Sequence, residues 1–208
     1  MTTMDIQALN HLNPELKQNI LDHSSIVSIH ENSELLREGQ YIKVIPLVIS
    51  GLIKVYTKHD DKELLLYYIQ PEESCIMSFS ACLKNNPSQV FAKTEEDTQT
   101  ILLPVDKVKD WIKVYPELNT LFFQQYNVRY TDLLETIHHV LFDKMDKRLL
   151  DYLTNKVNIT GKNPLTMSHR EIANDLGSAR EVISRVMKKL EHEGYIEQHA
   201  KQIKLRRI

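Results

Sequence analysis

Three side chains between residues 178 and 188 have the chemistry to read nucleic-acid bases: Arg180, Glu181 and Arg185. A guanidinium can donate two hydrogen bonds to guanine O6 and N7, and a carboxylate can accept one from cytosine N4. Such groups are useful only if a frame holds them on one face, and residues 168–192 supply that frame. Ser168, followed three residues later by Glu171, has the spacing of a capping box, so a helix is expected from His169 to about Leu176. Ala173 is small where a second helix must cross. Gly177 can take the left-handed conformation that ends the first helix. Ser178 is then expected to cap a second helix running to about His192. Ile172, Leu176, Ile183 and Val186 point into the angle between the two, which makes a helix-turn-helix.

With Val182, Ile183, Val186 and Leu190 inside, the outer face of the second helix carries Ser178, Arg180, Glu181, Ser184, Arg185 and Lys188. The plain alternative is a solvated face on which Glu181 and Arg185 pair at a spacing of four. Arg170 and Lys188 suit phosphate, a contact that positions a protein without reading sequence. The hydroxyls of Ser168, Ser178 and Ser184 are further backbone candidates. After Gly194 the stretches YIEQ, HAK and QIKLRRI read as a two-stranded wing, with His199 and Lys201 near its tip and Ile203 and Leu205 alternating with Lys204 and Arg206. Charge agrees with this division. Residues 1–141 hold 12 Lys and Arg against 19 Asp and Glu, whereas residues 142–208 hold 14 against 9. An acidic body with a basic tail points to a polyanion as partner of the tail.

The elements before the tail are of another kind. IVSIH (26–30), VIPLVI (44–49), LIKVYTK (52–58), ELLLYYI (63–69), QVFAK (89–93) and TILLPV (100–105) read as short strands broken by turn residues. Their spacing favours an antiparallel sandwich or barrel. A helix is expected over residues 5–24, another over 106–114, and a third over about 143–157, followed by a loop at 158–164. Between them lies the longest helical pattern, 117–142. Phe122, Tyr126, Tyr130, Leu133, Ile137 and Val140 recur on it at steps of four and three, a seam at a period of about 3.5 residues that suits pairing with a second copy.

Composition removes several classes. The chain has 208 residues, 42% hydrophobic and 26% charged, ordinary for a folded soluble protein. Its two cysteines, Cys75 and Cys82, exclude a disulfide scaffold and suit a reducing cytoplasm. No apolar run approaches the length of a membrane span, and the first ten residues do not read as a signal peptide. An enzyme is not expected: His30 and His59 are the histidines of the strand region, they lie far apart, and no glycine-rich phosphate loop occurs. The adjacent His138 and His139 read as part of a solvated face, and no metal site is expected.

The arrangement resembles the Crp/Fnr family of bacterial transcription regulators. GSAREVISRVMKKLEHEGYI is similar to that family's recognition helix and the start of its wing, the strand region resembles its cyclic-nucleotide-binding β-roll, and the long helix resembles its dimer helix. By this resemblance Arg180, Glu181 and Arg185 match base-reading positions, and Ser178, Lys188 and His199 match positions on the DNA backbone. The resemblance also places an effector pocket around Glu73, Cys75, Ser78, Ser88 and Gln89. There the sequence departs from the family. PEESCIMSFSACLKNNPSQVFAKT contains no glycine, and no arginine occurs between Arg37 and Arg129, so the forked grip on a cyclic phosphate is missing. Two cysteines cannot hold the iron–sulfur cluster of another branch within one chain, and no cofactor is expected. Cys75 and Cys82, seven residues apart around a loop, are a candidate redox pair or simply two buried side chains.

The expected fold is α+β: an antiparallel β-roll sensor at 1–115, a dimerisation helix and hinge at 116–142, and a winged helix-turn-helix at 143–208. The expected function is a homodimeric, sequence-specific DNA-binding regulator of the Crp/Fnr type that does not depend on a cyclic nucleotide. Its partners are double-stranded DNA with a palindromic operator, a second copy of itself, and RNA polymerase if it activates; any small-molecule effector is unidentified and no membrane is involved. The alternative is an effector- or redox-responsive β-roll that acts mainly through protein contacts.

Overall fold

The structure, a computed structural model, describes residues 9–10, 12–60 and 62–206, with the backbone alone at 140–142. The expected start of the first helix at residue 5 lies outside the described residues, as does the side chain of Val140. The chain forms two compact units, one of residues 1–57 and 66–132, the other of 58–65 and 133–208.

In the first unit, α1 (Pro14–His23) is started by Asn13, whose side chain accepts a hydrogen bond from the Leu16 amide at 2.9 Å, and by Pro14, whose fixed φ suits a first turn. The strands are β1 (Ser25–Ile29), β2 (Glu34–Leu36), β3 (Val44–Ser50), β4 (Ile53–His59), β5 (Lys62–Ile69), β6 (Phe91–Thr94) and β7 (Thr98–Pro104), of which the end of β4 and the first half of β5, within residues 58–65, are counted with the second unit. They form two sheets, ordered β1-β7-β3 and β2-β6-β4-β5. β1 and β3 pair antiparallel with β7, as β2 and β4 do with β6. Pro46 is tolerated because β3 is an edge strand. Between β3 and β4 the chain turns at Gly51, with φ +90°; a Cβ there would stand 2.5 Å from the Asp97 carbonyl oxygen, so only glycine fits. The absence of clean alternation in 52–57 has a cause: Ile53, Lys54, Val55 and Tyr56 are all buried, so the strand is covered on both faces where it begins. Lys54 Nζ sits 5.0 Å from the Tyr56 ring centroid.

Two helices complete the strand region, α2 (Ile76–Lys84) and α3 (Val105–Val114). α2 corrects the sequence expectation of a loop between the two cysteines. Cys75 is the N-cap of α2, its sulfur accepting from the Ser78 amide at 3.4 Å, and Cys82 lies in the same helix. Seven residues of helix separate them by about 10 Å, beyond the reach of a disulfide. Both are buried and free.

α4 (Pro116–Phe142) matches the expected long helix. Its first turns pack into the first unit's core, and this corrects Phe122. That ring is buried and stacks on Phe79, with centroids 3.7 Å apart, so it belongs to the core and not to the outward seam.

The second unit is built from α5 (Met145–Thr160), β8 (Leu165–Thr166), α6 (His169–Asp175), α7 (Arg180–His192), β9 (Ile196–His199) and β10 (Gln202–Leu205). α5 runs three residues further than expected, until Gly161 turns left-handed at φ +64°. Leu149, Leu153, Ile172, Ile183, Met187, Leu190, Ile196 and Ile203 form its core. Met187, not assigned inward from sequence, is fully buried. No helix among the described residues is long and apolar enough to cross a membrane.

Phe122→Ala removes a buried aromatic stack and leaves a cavity. We expect a loss of about 3–5 kcal/mol in urea unfolding of the first unit. Fluorescence of Trp111, the chain's one tryptophan and a member of the same cluster, reads this transition.

Candidate nucleic-acid interface

The turn between α6 and α7 sets the frame. The capping box at the start of α6 is complete: Ser168 Oγ accepts from the Glu171 amide at 3.2 Å, and Glu171 Oε2 accepts from the Ser168 amide at 2.7 Å. At the other end Gly177 has φ +61°, the Ser178 amide donates to the Ala173 carbonyl at 2.8 Å, and the Gly177 amide donates to that of Asn174 at 3.2 Å. These are the two bonds of a Schellman ending. Ser178 is consumed by it, and the N-cap of α7 is Ala179, with no side-chain hydrogen bond. That corrects the expected Ser178 cap and leaves the first amides of α7 without a side-chain acceptor.

α7 turns Ile183, Met187 and Leu190 inward. Arg180, Glu181, Arg185 and Lys188 are exposed on its other side, and no ion pair joins Glu181 to Arg185 among the described residues. The basic and acidic tips are therefore presented outward as separate groups. Arg170 is exposed on α6, and Ser178 and Ser184 are half-buried. The wing is a three-stranded sheet ordered β8-β10-β9, in which His199 pairs with Gln202 across a turn at Ala200 and Lys201. His199 and Lys201 are exposed there, as expected.

Four side chains that the sequence did not single out hold this surface together. His169, at the start of α6, bonds Ser184 Oγ on α7 through Nδ1 and Gln198 Oε1 on β9 through Nε2, each at 2.9 Å. Gln198 in turn donates from its amide nitrogen and from Nε2 to the two carboxylate oxygens of Glu191, at 2.9 and 3.1 Å. First helix, second helix and wing are thus joined through one imidazole. Arg148 on α5 donates to the Leu176 carbonyl at 3.0 Å, closing the inter-helix turn from behind, and burial lowers its pKa from the ordinary arginine value.

Residues 147–208 match the Crp-like helix-turn-helix domain family. The chain is also similar to the cAMP-activated global transcriptional regulator CRP of Salmonella typhimurium, 22% identical over 88% of this chain and 90% of that protein. Among solved structures, a crp/fnr family regulator from Eubacterium rectale superposes with a TM-score of 0.83 at 25% identity, covering 94% of this chain and 91% of that one. The c-di-GMP responsive regulator CLP of Xanthomonas campestris gives 0.84 at 19% identity, covering 94% and 100%. Residues 147–208 are a Crp-like helix-turn-helix domain, and the chain as a whole is similar to Crp/Fnr-type transcription regulators. The kinship agrees with the expectation that it is not an enzyme.

Of the expected effector residues, Glu73 is already engaged by protein. Glu73 Oε1 accepts from Arg129 Nη2 at 2.5 Å, and its Oε2 from the Gln70 amide at 2.9 Å. Arg129, on α4, also donates to Asp132 and to the Tyr68 carbonyl, and lies over the Tyr67 ring at 4.9 Å. Burial first, then Cys75 beside it, holds the Tyr67 phenol well above its ordinary pKa. Ser78 is buried, Ser88 is buried with its hydroxyl turned to the Val90 carbonyl, and Gln89 is exposed. On α4, Tyr126, Tyr130, Leu133 and Ile137 are exposed, and so are Phe123, Val128 and Leu134.

Lys189 on α7 donates to Asp146 Oδ2 at 2.6 Å and holds that carboxyl below the usual range. A carboxyl whose folded pKa is depressed contributes its full stabilisation above its unfolded value of about 3.9 and loses it as pH falls from there through the lower folded value. Urea unfolding of the second unit is expected to weaken below about pH 4. Asp146→Asn should lower stability near neutrality and make that acid decline shallower; parallel pH profiles for the two proteins would refute the pairing.

Proposed function

We propose that this regulator acts as a homodimer that reads a palindromic operator through Arg180, Glu181 and Arg185, without a cyclic nucleotide. The observation that carries the reading is the outer face of α7, where these three side chains stand exposed beyond a core of Ile183, Met187 and Leu190. Arg170, Ser178, Ser184, Lys188, His199 and Lys201 surround that face and suit phosphate, with Ser168 behind them in its cap. The uncapped amides at the start of α7, at the positive end of the helix dipole, also favour a polyanion. Residues 143–208 are the DNA-binding domain in this reading.

Dimerisation is supported by the apolar stripe of Tyr126, Tyr130, Leu133 and Ile137, about half exposed, which is costly on a free helix. A second copy covers it along α4. Independence from cyclic nucleotides is supported by the absence of any arginine between Arg37 and Arg129 and by the bonds that already occupy Glu73 and Arg129. The protein then works in the cytoplasm on chromosomal sites, with RNA polymerase as a further partner where it activates.

Selection of bound DNA from a random library, with purified protein and no added ligand, tests the reading. A palindrome with half-sites about one helical turn, 34 Å, apart is expected; enrichment only after cyclic nucleotide is added would overturn the independence. On the selected operator, Arg185→Ala should cost about 1–3 kcal/mol and relax one base pair. Lys188→Ala should weaken all sequences alike and reduce the salt slope by about one unit. Gel shifts across salt concentrations separate the two. Ile137→Lys, on the exposed stripe, is expected to shift sedimentation from dimer to monomer and to remove operator binding at the same protein concentration.

A further inference from the structure

The last turn of α4 carries His138 and His139, which the proposed DNA interface does not use. The fold adds a third group. Asp143 follows α4 directly, and its Oδ2 lies 2.5 Å from His139 Nδ1, so His139 is not simply part of a solvated face. One ligand atom from each of His138, His139 and Asp143 lies within 4.8 Å of the other two. His138 is exposed, and the other two are half-buried.

We propose that His138, His139 and Asp143 bind a divalent transition ion of the zinc, nickel or copper class at the junction of α4 and α5. Two imidazoles and one carboxylate are the ligand types these ions select, whereas magnesium and calcium require mostly oxygen. Three protein ligands leave one position for water. Metal–ligand bonds of about 2.0–2.2 Å place neighbouring ligand atoms roughly 3.3–3.5 Å apart in a tetrahedron. The set therefore needs a small adjustment in two senses. Asp143 and His139 open by under an ångström as the ion enters between them, and the exposed ring of His138 swings inward, which its surface position permits. Lys147 Nζ now touches both Asp143 oxygens, at 3.0 and 3.1 Å. The ion takes Oδ2, and Lys147 keeps Oδ1 and holds the carboxylate plane, a supporting contact of the kind that orients metal ligands.

The position gives such an ion a structural effect. Two ligands lie in the final turn of α4, and the third lies in the connection, one residue before Lys144, the N-cap of α5. Coordination ties the helix end to the connection and restricts the turn leading into α5. Elsewhere among the described residues, His30 and Asp97 approach to 3.5 Å on the surface, but they offer two ligands only and serve as a built-in control.

Calorimetric titration of the chelator-treated full-length protein with zinc chloride tests the site. One ion per chain is expected, weakened by about 10–100-fold in His139→Ala and in Asp143→Asn, and unchanged in His30→Ala. Because His138 is exposed, His138→Ala preserves the fold, and the copper(II) form of that variant should lose one of two imidazole nitrogens from its electron paramagnetic resonance spectrum. No saturable binding, one ion per two chains, or binding that persists unchanged in His139→Ala and Asp143→Asn overturns the proposal.

Discussion

Every outward group on α7 takes its direction from the four residues, 176–179, that join α6 to α7. Gly177 alone supplies the left-handed step, the Ser178 amide closes back on Ala173, and Arg148 satisfies the Leu176 carbonyl from α5. Within the same unit Leu64 forms an isolated antiparallel bridge with Leu176, and a Cβ at Gly177 would meet Leu64 Cδ1 at 3.4 Å. The angle between the helices is thus set by backbone geometry and buried contacts, not by the polar residues that display it. A change of a few degrees there moves Arg180 and Arg185 together, because one rigid helix carries both.

His169 plays a complementary part at the opposite side of the helix pair. Its two ring nitrogens join Ser184 and Gln198, and the second bond passes on to Glu191. Helix and wing therefore share one hydrogen-bonded chain, and bonds in such a chain support one another. On α4 the constraint is of another sort. Phe122 is used inward against Phe79, while Tyr126 to Ile137 remain outward, so one helix divides its apolar side chains between its own core and a second surface.

The sequence made the DNA-facing half legible because its signals are local. The capping box, Gly177 and the inward positions of α7 all act within one or two turns of helix, and β10 of the wing alternates cleanly. Most strands of the first unit were readable for the same reason, being rich in Val, Ile and Tyr between turn residues; β2, three residues long, was not among those expected. α2 was hidden because a cysteine, a rare cap, starts it and because its buried Ile76, Phe79 and Cys82 span little more than two turns. Phe122 was misplaced since it lies at the border of two stripes, and periodicity cannot say which neighbour claims a border residue. Gln198 lies 29 residues from His169, and Glu73 lies 56 from Arg129, so no pattern along the chain could have paired them.

Ala179 shows what this arrangement gives up. A helix start without a side-chain acceptor is about 1 kcal/mol less stable than one capped by Ser, Thr or Asp. An aspartate at this position would repair the deficit and would also place a negative charge beside Arg180, where a polyanion is to approach. The fold therefore sits below the stability its own backbone could reach, and the shortfall lies at the helix end that faces the proposed ligand. Selection for thermal robustness alone would remove it, whereas selection for occupancy of DNA would keep it, so residue 179 is where the two pressures diverge.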